Sequence, residues 1–265
     1  MTANPVRFLH ISDTHIGPSR DFEIYGSHTY DCVSRLVDTI NNLPIEPDFI
    51  IHTGDVVTDP FPEAYTLSAE IFSKLKAPIY YASGNHDLSS MLIPALPMGP
   101  KEDLLVDEGV NCYRFEVGSH RFLVLDGRGP DEIDANGQLA EAQYQILEDE
   151  IAADGPLSIF IHFPALELDT VWLDRDMLLL EGERFHKLVQ QAKNLRGVFL
   201  GHIHRGGAQY RDGVLYSSVA SPIGQFSMWP EDQQGAAAAD SGCTLYYNLV
   251  TLTDDTTIIK EFVSS

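Results

Sequence analysis

Ala77-Pro78-Ile79-Tyr80-Tyr81-Ala82 runs through Ser83 into Gly84-Asn85-His86-Asp87. A short apolar run with β-branched and aromatic residues that stops at a glycine reads as a buried strand opening into a turn. The turn then sets an amide oxygen, an imidazole and a carboxylate on consecutive residues, poor material for a core and good material for a site. Turns of Gly, Asn and Asp are common, so this tetrad decides little alone. Four other strand ends finish in the same way, and the fold is read from that recurrence.

The chain has 265 residues, 44% of them hydrophobic. That is enough for one large domain or two small ones, and a single domain over 1–265 is expected. No apolar run approaches the roughly 18 residues a membrane span needs. Met1 to Pro5 leads straight into a strand without a basic or apolar leader, so no export signal is expected. Cys32, Cys112 and Cys243 are far apart and odd in number. They read as reduced core residues of a cytoplasmic protein. With 17 Lys and Arg against 39 Asp and Glu, the net charge is −22. Such a surface repels polyanions, which argues against extended nucleic acid and anionic membranes as partners. Its plain meaning is solubility or a salt-tolerant source.

In chain order, Val6 to Ile11 forms a strand ending in Ser12-Asp13-Thr14-His15. In extended backbone Asp13 and His15 point the same way, a two-point metal grip, although the pair alone also fits a capped turn with a stray histidine. Cys32, Val33, Leu36, Val37 and Ile40 show helical spacing within residues 27–43, and Pro44 and Pro47 end that helix. Asp48 to His52 is a second strand, closing in Thr53-Gly54-Asp55. A helix near 62–75 then leads to the opening tetrad. Strand, helix, strand, helix, strand implies right-handed crossovers and a parallel sheet. Ligands bind such sheets at the carboxyl ends of the strands, where Asp13, His15, Asp55 and Asn85 fall.

Residues 91–100 read as a Pro- and Met-rich loop. Two strands, 111–117 and 121–126, meet at Gly118-Ser119 as a hairpin. A helix is expected over 137–151, then a strand from Leu157 to Ile161 ending in His162-Phe163-Pro164. A helix over 183–193 precedes Gly197 to Leu200, which enters Gly201-His202-Ile203-His204. The remainder is β-rich, with 235–242 reading as a small, polar surface loop. The order suggests two halves, each built around its own sheet. Five strand ends each finishing in a metal-competent residue are not a coincidence of composition.

The series Asp13-x-His15, Gly54-Asp55, Gly84-Asn85-His86-Asp87, His162 and Gly201-His202-x-His204 resembles the calcineurin-like metallophosphoesterase superfamily over roughly residues 6–205. The resemblance implies an α/β fold of four layers, a two-sheet β-sandwich flanked by helices (αββα), with a binuclear metal site at the sheet edge. It implies that Asp13, His15 and His204 hold one metal, Asn85, His162 and His202 the other, and that Asp55 bridges them.

Two divalent ions about 3.5–4 Å apart lower the pKa of a shared water, whose hydroxide attacks phosphorus in line with the leaving group. The mixed ligands suit Mn, Fe, Zn, Co or Ni. His86, beside a ligand, is the group to stabilise the transition state or protonate the leaving alkoxide. Asp87 either orients an imidazole or caps the turn. Protein Ser/Thr phosphatases of the superfamily carry an arginine after Gly-Asp, where Val56-Val57-Thr58-Asp59 stands here. The −22 charge disfavours the double-strand-break nucleases.

His162-Phe163-Pro164, Trp172-Leu173-Asp174, His204-Arg205, Ser221-Pro222 and Gln225-Phe226 are similar to class III cyclic nucleotide phosphodiesterases. Phe163 and Ala165 depart from that pattern, where a second histidine and a second proline are usual. The expected substrate is a small phosphodiester such as a 3′,5′-cyclic nucleotide. A glycerophosphodiester or a phosphomonoester is the alternative, and a homo-oligomer is left open. A protein-binding module of this fold with a degenerate metal site is disfavoured by the complete ligand set. Substrate choice is expected to lie in loops 94–100 and 166–180.

Overall fold

In the computed structural model the strand β1 (Val6–Ile11) turns Val6 and Phe8 to one side and Leu9 and Ile11 to the other, as period-two pleating requires. The structure describes residues 5–105, 109–128, 135–234 and 242–264. After β1 come a short ribbon, β2 (Glu23–Ile24) and β3 (Ser27–His28), then α1 (Thr29–Asn41) and β4 (Phe49–His52). Next are α2 (Pro62–Phe72), β5 (Ile79–Tyr81), α3 (Ser89–Ala95), β6 (Glu102–Asp103), β7 (Tyr113–Val117) and β8 (His120–Val124). The second half holds α4 (Glu141–Ala152), β9 (Leu157–Phe160), α5 (Val171–Asp176), α6 (Gly182–Val189) and β10 (Leu195–Leu200). The chain closes with β11 (Gly207–Arg211), β12 (Val214–Ser218), β13 (Leu245–Leu252) and β14 (Thr257–Ser264).

One sheet has the order β14-β13-β1-β4-β5 and the other β11-β12-β10-β9-β8-β7-β6. Their central strands are parallel, β1 with β4 and β5, and β8, β9, β10 and β12 together. Phe8, Phe49, Phe122, Phe160 and Phe199 meet in the core between the sheets. Phe8 stacks on Phe49 and meets Phe160 and Phe199 edge-on. The neighbours of these residues along each strand face outward. Leu9 and Ile50 pack under α1 and α2, while Leu123, Ile159 and Val198 pack under α4 and α6. Alternation therefore makes three cores and four layers, the expected αββα sandwich. Both faces of the strand interiors are covered, which is why β4 and β9 read as largely apolar runs, while Arg7, Arg121 and Arg196 stand at the less buried starts of β1, β8 and β10. The two sheets of the two halves are also as expected, except that the tail crosses back to give β13 and β14 to the first sheet.

Several boundaries differ. Residues 91–100 begin inside α3, which accepts Pro94 because a seven-residue helix loses only one bond to it. The helix expected from 137 starts at Glu141, because Gly137 instead bridges Leu179. α5 was not anticipated, being too short for periodicity to show. Of the 235–242 loop, residues 235–241 lie outside the described residues.

The cysteine reading is overturned. Cys32 and Cys243 form a disulfide across 211 residues, with Cα atoms 5.6 Å apart, and Cys112 stays free and buried. The pairing joins a buried position of α1 to the entry of β13, a contact that spacing along the chain cannot reveal. Among the described residues no helix is long and apolar enough to cross a membrane.

Candidate metal centre

The carboxyl ends of β1, β4 and β5 in one sheet and of β9 and β10 in the other converge on one cavity. Asp13 and His15 leave β1, Asp55 leaves β4, and Asn85 with His86 leave β5. His162 follows β9, and His202 with His204 follow β10. The backbone is left-handed at Asp13 (φ 56°), His15 (43°), Asp55 (55°), His202 (71°) and His204 (54°). Non-glycine residues take up that region rarely, and five together mark a constrained site. Asp13/His15 and His202/His204 thus converge through tight turns, not through the extended alternation read from the sequence. The turns are tied together by Asp13 N–H on the Gly54 carbonyl (3.0 Å) and His15 N–H on the Asp55 carbonyl (3.1 Å).

Two groups of donor atoms result, each within 4.8 Å: Asp13, His15, Asp55 and His204, and Asp55, His162 and His202. Asp55 belongs to both. Its Oδ2 stands 3.7 Å from His15 Nε2 and 3.3 Å from His162 Nε2. Its Oδ1 accepts the backbone N–H of His86 at 2.9 Å. Gly84 permits this approach, since a Cβ there would lie 2.2 Å from Asp55 Oδ1. The nitrogens of His15 and His204 are 3.0 Å apart, and His202 Nδ1 is 3.1 Å from His162 Nε2.

Backbone carbonyls set the tautomers. Nδ1–H of His162 donates to Thr53 O (2.7 Å), Nδ1–H of His204 to Gly224 O (2.9 Å) and Nε2–H of His202 to Ala135 O (2.8 Å). The nitrogen left on each ring faces the cluster, the arrangement that orients imidazoles as metal ligands. Burial drives His15 and His202 well below the usual imidazole range, and His204 to about 4, so these rings are neutral. Burial also opposes the charge on His162, but the Asp55 carboxylate, with Asp13 and the Thr53 carbonyl, outweighs it and lifts that ring to about 9. Burial works to raise Asp55 as well, yet His162 and His86 hold it well below the carboxylate range. Burial pushes Asp13 up to about 7. A cation among these donors would reverse the tendencies of His162 and Asp13, replacing the His162 proton and holding Asp13 ionised, and would reinforce that of Asp55.

The donor set fits divalent metal. Carboxylates of Asp13 and Asp55, the lone pairs of His202 and His204 and an amide oxygen all point inward. That amide is Asn85, whose Oδ1 is buried and has no hydrogen-bond partner among the described residues, a state a polar atom holds only at a cost unless something positive sits against it.

His86 lines the cavity. Its Nδ1–H donates to Thr58 O at 2.6 Å, which leaves Nε2 for a ligand. Burial lowers its pKa, but the Asp55 charge and the Thr58 carbonyl overcome that and raise it. Of the two readings of Asp87, the structure takes the turn anchor. The carboxylate accepts the backbone N–H groups of Gly84, Val56 and Val57, and among the described residues none of its hydrogen bonds goes to an imidazole. Arg205 donates to the Phe226 carbonyl, outside the cavity lining. Phe163 packs its ring on His162 and His202, a buttress in place of the expected second histidine.

The cavity measures about 270 Å³, and its far wall is apolar, with Tyr25, Trp172, Met177 and Phe226. Loop 166–180 therefore does reach the site, through Trp172 and Met177; nothing in loop 94–100 lines it among the described residues. Tyr25 was missed, its one signal being an aromatic side chain in a Tyr-Gly turn.

The calcineurin-like phosphoesterase family profile matches residues 6–206. A 3′,5′-cyclic-nucleotide phosphodiesterase of Nostoc sp. is 25% identical over 84% of this chain and 80% of its own. A glycerophosphodiester phosphodiesterase of Enterobacter lignolyticus is 29% identical over 80% and 76%. A dimetal phosphatase from Danio rerio shares the fold, with a TM-score of 0.68 at 15% identity over 97% of this chain and 99% of that one.

Proposed function

The chain belongs to the calcineurin-like phosphoesterase family, and we propose that within it this protein is a binuclear phosphodiester hydrolase acting on 3′,5′-cyclic nucleotides. The observation that carries this reading is the pair of donor groups sharing Asp55 on the floor of a cavity whose described lining contains no lysine or arginine. In it Asp13, His15 and His204 would hold one ion and Asn85, His162 and His202 the other, with Asp55 available to both, within one domain spanning 1–265. Bound there, two divalent cations of Mn, Fe, Zn, Co or Ni type supply Lewis acidity and a water acidified towards neutral pH.

The chain's own groups do the rest. His86, with Nδ1–H committed to Thr58, presents Nε2 to the cavity and carries a raised pKa. It gives its proton to the ester oxygen as the phosphorus–oxygen bond breaks, while the attacking water, having lost one proton to solvent, adds to phosphorus as hydroxyl. Asp87 acts on the reaction indirectly, by fixing the turn that carries Asn85 and His86. A phosphomonoester dianion wants cationic side chains beyond the floor, and a diester monoanion does not.

The Enterobacter lignolyticus relative supports a second reading, glycerophosphodiester hydrolysis. Cytoplasmic location remains part of the proposal on substrate grounds alone, since the Cys32–Cys243 disulfide removes the cysteine argument for it. Chromogenic esters test the reaction class. With Mn present, kcat/KM for bis(p-nitrophenyl) phosphate is expected to exceed that for p-nitrophenyl phosphate by at least about tenfold, roughly 1.4 kcal/mol. A preference for the monoester overturns it.

A further inference from the structure

Three aromatic rings from separate segments line the cavity together with His86: Tyr25 from the β2–β3 turn, Trp172 from α5 and Phe226 from the loop after β12. We propose that they form a stacking wall that selects phosphodiesters bearing a flat aromatic group, above all a nucleobase, over polyhydroxyl esters such as glycerophosphodiesters. This deepens the phosphodiesterase reading and rests on it.

The wall begins at the cluster itself. The Phe226 ring lies on His204, with centroids 4.0 Å apart and planes 13° apart. Tyr25 meets both rings edge-on, at 6.0 Å from His204 and 6.2 Å from Phe226, and Trp172 meets Phe226 at 5.5 Å. A ligand anchored by its phosphate on the floor has these faces and edges beside it.

Trp172 is a buried member of the core under α4 and α6, Phe226 packs against that core and Tyr25 against the one under α1 and α2, and polar contacts hold the three rings as well. Trp172 Nε1–H donates to Ser227 O at 3.2 Å, and Arg205 clasps the Phe226 carbonyl. Gly242 N–H donates to the Tyr25 carbonyl at 3.2 Å. Tyr25 and Gly26 make up the two-residue turn between Ile24 and Ser27, with φ of 52° and 71°. Such turns favour Asn, Asp or Gly, and a bulky aromatic there is strained. Strain of this kind is kept where the side chain is needed. Gly224 makes room for it, since a Cβ there would lie 2.9 Å from Tyr25 Cβ.

The chemistry of the wall separates the two substrate readings. The Trp172 N–H is already committed, and Phe226 and Met177 have no strong donor or acceptor in their side chains. On these described wall residues a glycerol moiety would find the Tyr25 hydroxyl, whereas a base finds ring surface, and base–aromatic stacking is sequence-tolerant and substantial.

The test compares Mn-loaded wild type with Tyr25→Leu and Trp172→Leu on 3′,5′-cyclic AMP and on glycerophosphoethanolamine. The ratio of kcat/KM for the two substrates is expected to fall by about tenfold or more in each leucine variant, the scale of one lost stacking contact. Tyr25→Phe and Trp172→Phe are expected to restore it. Tyr25 is half-buried, so its variants report even where Trp172→Leu does not fold. An unchanged ratio, or equal losses on both substrates, overturns the wall while leaving the phosphodiesterase standing.

A second readout needs no turnover. The chain has 2 tryptophans, so Trp229→Phe, at an exposed position, leaves Trp172 as the only indole. AMP is expected to quench its fluorescence at concentrations where glycerol 3-phosphate does not. Equal quenching overturns the wall even if every diester fails as a substrate, a failure that would by itself fall on the reaction class.

Discussion

The backbone N–H of His86 donates to Oδ1 of Asp55 at 2.9 Å, which leaves Oδ2 facing His15 and His162. One hydrogen bond thus couples the turn after β5 to the carboxylate shared by both donor groups, and the residue providing it also offers its imidazole to the cavity. Because Asp55 and Asn85 sit at strand ends and not in a core, Asp55→Ala and Asn85→Ala are expected to abolish turnover without unfolding the chain. Circular dichroism and steady-state kinetics at saturating Mn check this. Wild-type turnover in either variant would remove that residue from the site.

His86→Ala separates proton transfer from metal binding. It is expected to lower kcat by about 10²–10⁴ with metal content nearly unchanged. The loss should shrink for a p-nitrophenolate leaving group, which needs no proton. Loss of an ion, measured by mass spectrometry of the metal, would make His86 a ligand.

Gly84 is required by distance. A Cβ there would sit 2.2 Å from Asp55 Oδ1 and 2.5 Å from its backbone nitrogen. Gly84→Ala is expected to cost about 1–3 kcal/mol by urea denaturation, as overpacking does, and to reduce turnover with it. Full activity at full stability would mean that Asp55 tolerates displacement.

Acid lability follows from the buried histidines behind the site. Burial pushes His10 down to about 3 from its ordinary 6.5. Between those values the unfolded chain holds the proton and the folded chain does not. The unfolded state then binds more protons, so stability rises with pH across that window and is lost on acidification. His10→Gln should flatten the dependence by about 1.4 kcal/mol per pH unit, the weight of one proton. The same slope in wild type and variant between about pH 4.5 and 6 would show that His10 titrates within the fold.

Much of this was legible because ligand chemistry is local. Asp13, His15, Asp55, Asn85, His162, His202 and His204 each stand within a few residues of a strand end, so strand periodicity and residue type together locate them. The αββα layering was expected only through the family resemblance, the residues alone showing strand–helix order, two halves and the apolar runs of doubly buried strands such as Ile159 and Phe160. What could not be read depends on contacts between distant segments. The carbonyls of Thr53, Ala135 and Gly224 that set the imidazole tautomers could belong to any residue type. Cys32 and Cys243 meet only because β13 returns to the first sheet, and Tyr25 joins Trp172 and Phe226 only after three segments have folded together. The two readings of Asp87 stayed open for the same reason, since an anchor of three amides and a partner of an imidazole look alike in sequence.

The most direct measurement is metal stoichiometry coupled to activity. Chelator-stripped protein titrated with Mn in a calorimeter, with diester turnover followed in parallel, is expected to take up two ions per chain. Activity should appear as the second ion binds, and Asp55→Ala should neither fill both sites nor regain turnover. Full activity in stripped protein, or saturation at a single ion with full turnover, would contradict a centre built on a shared Asp55.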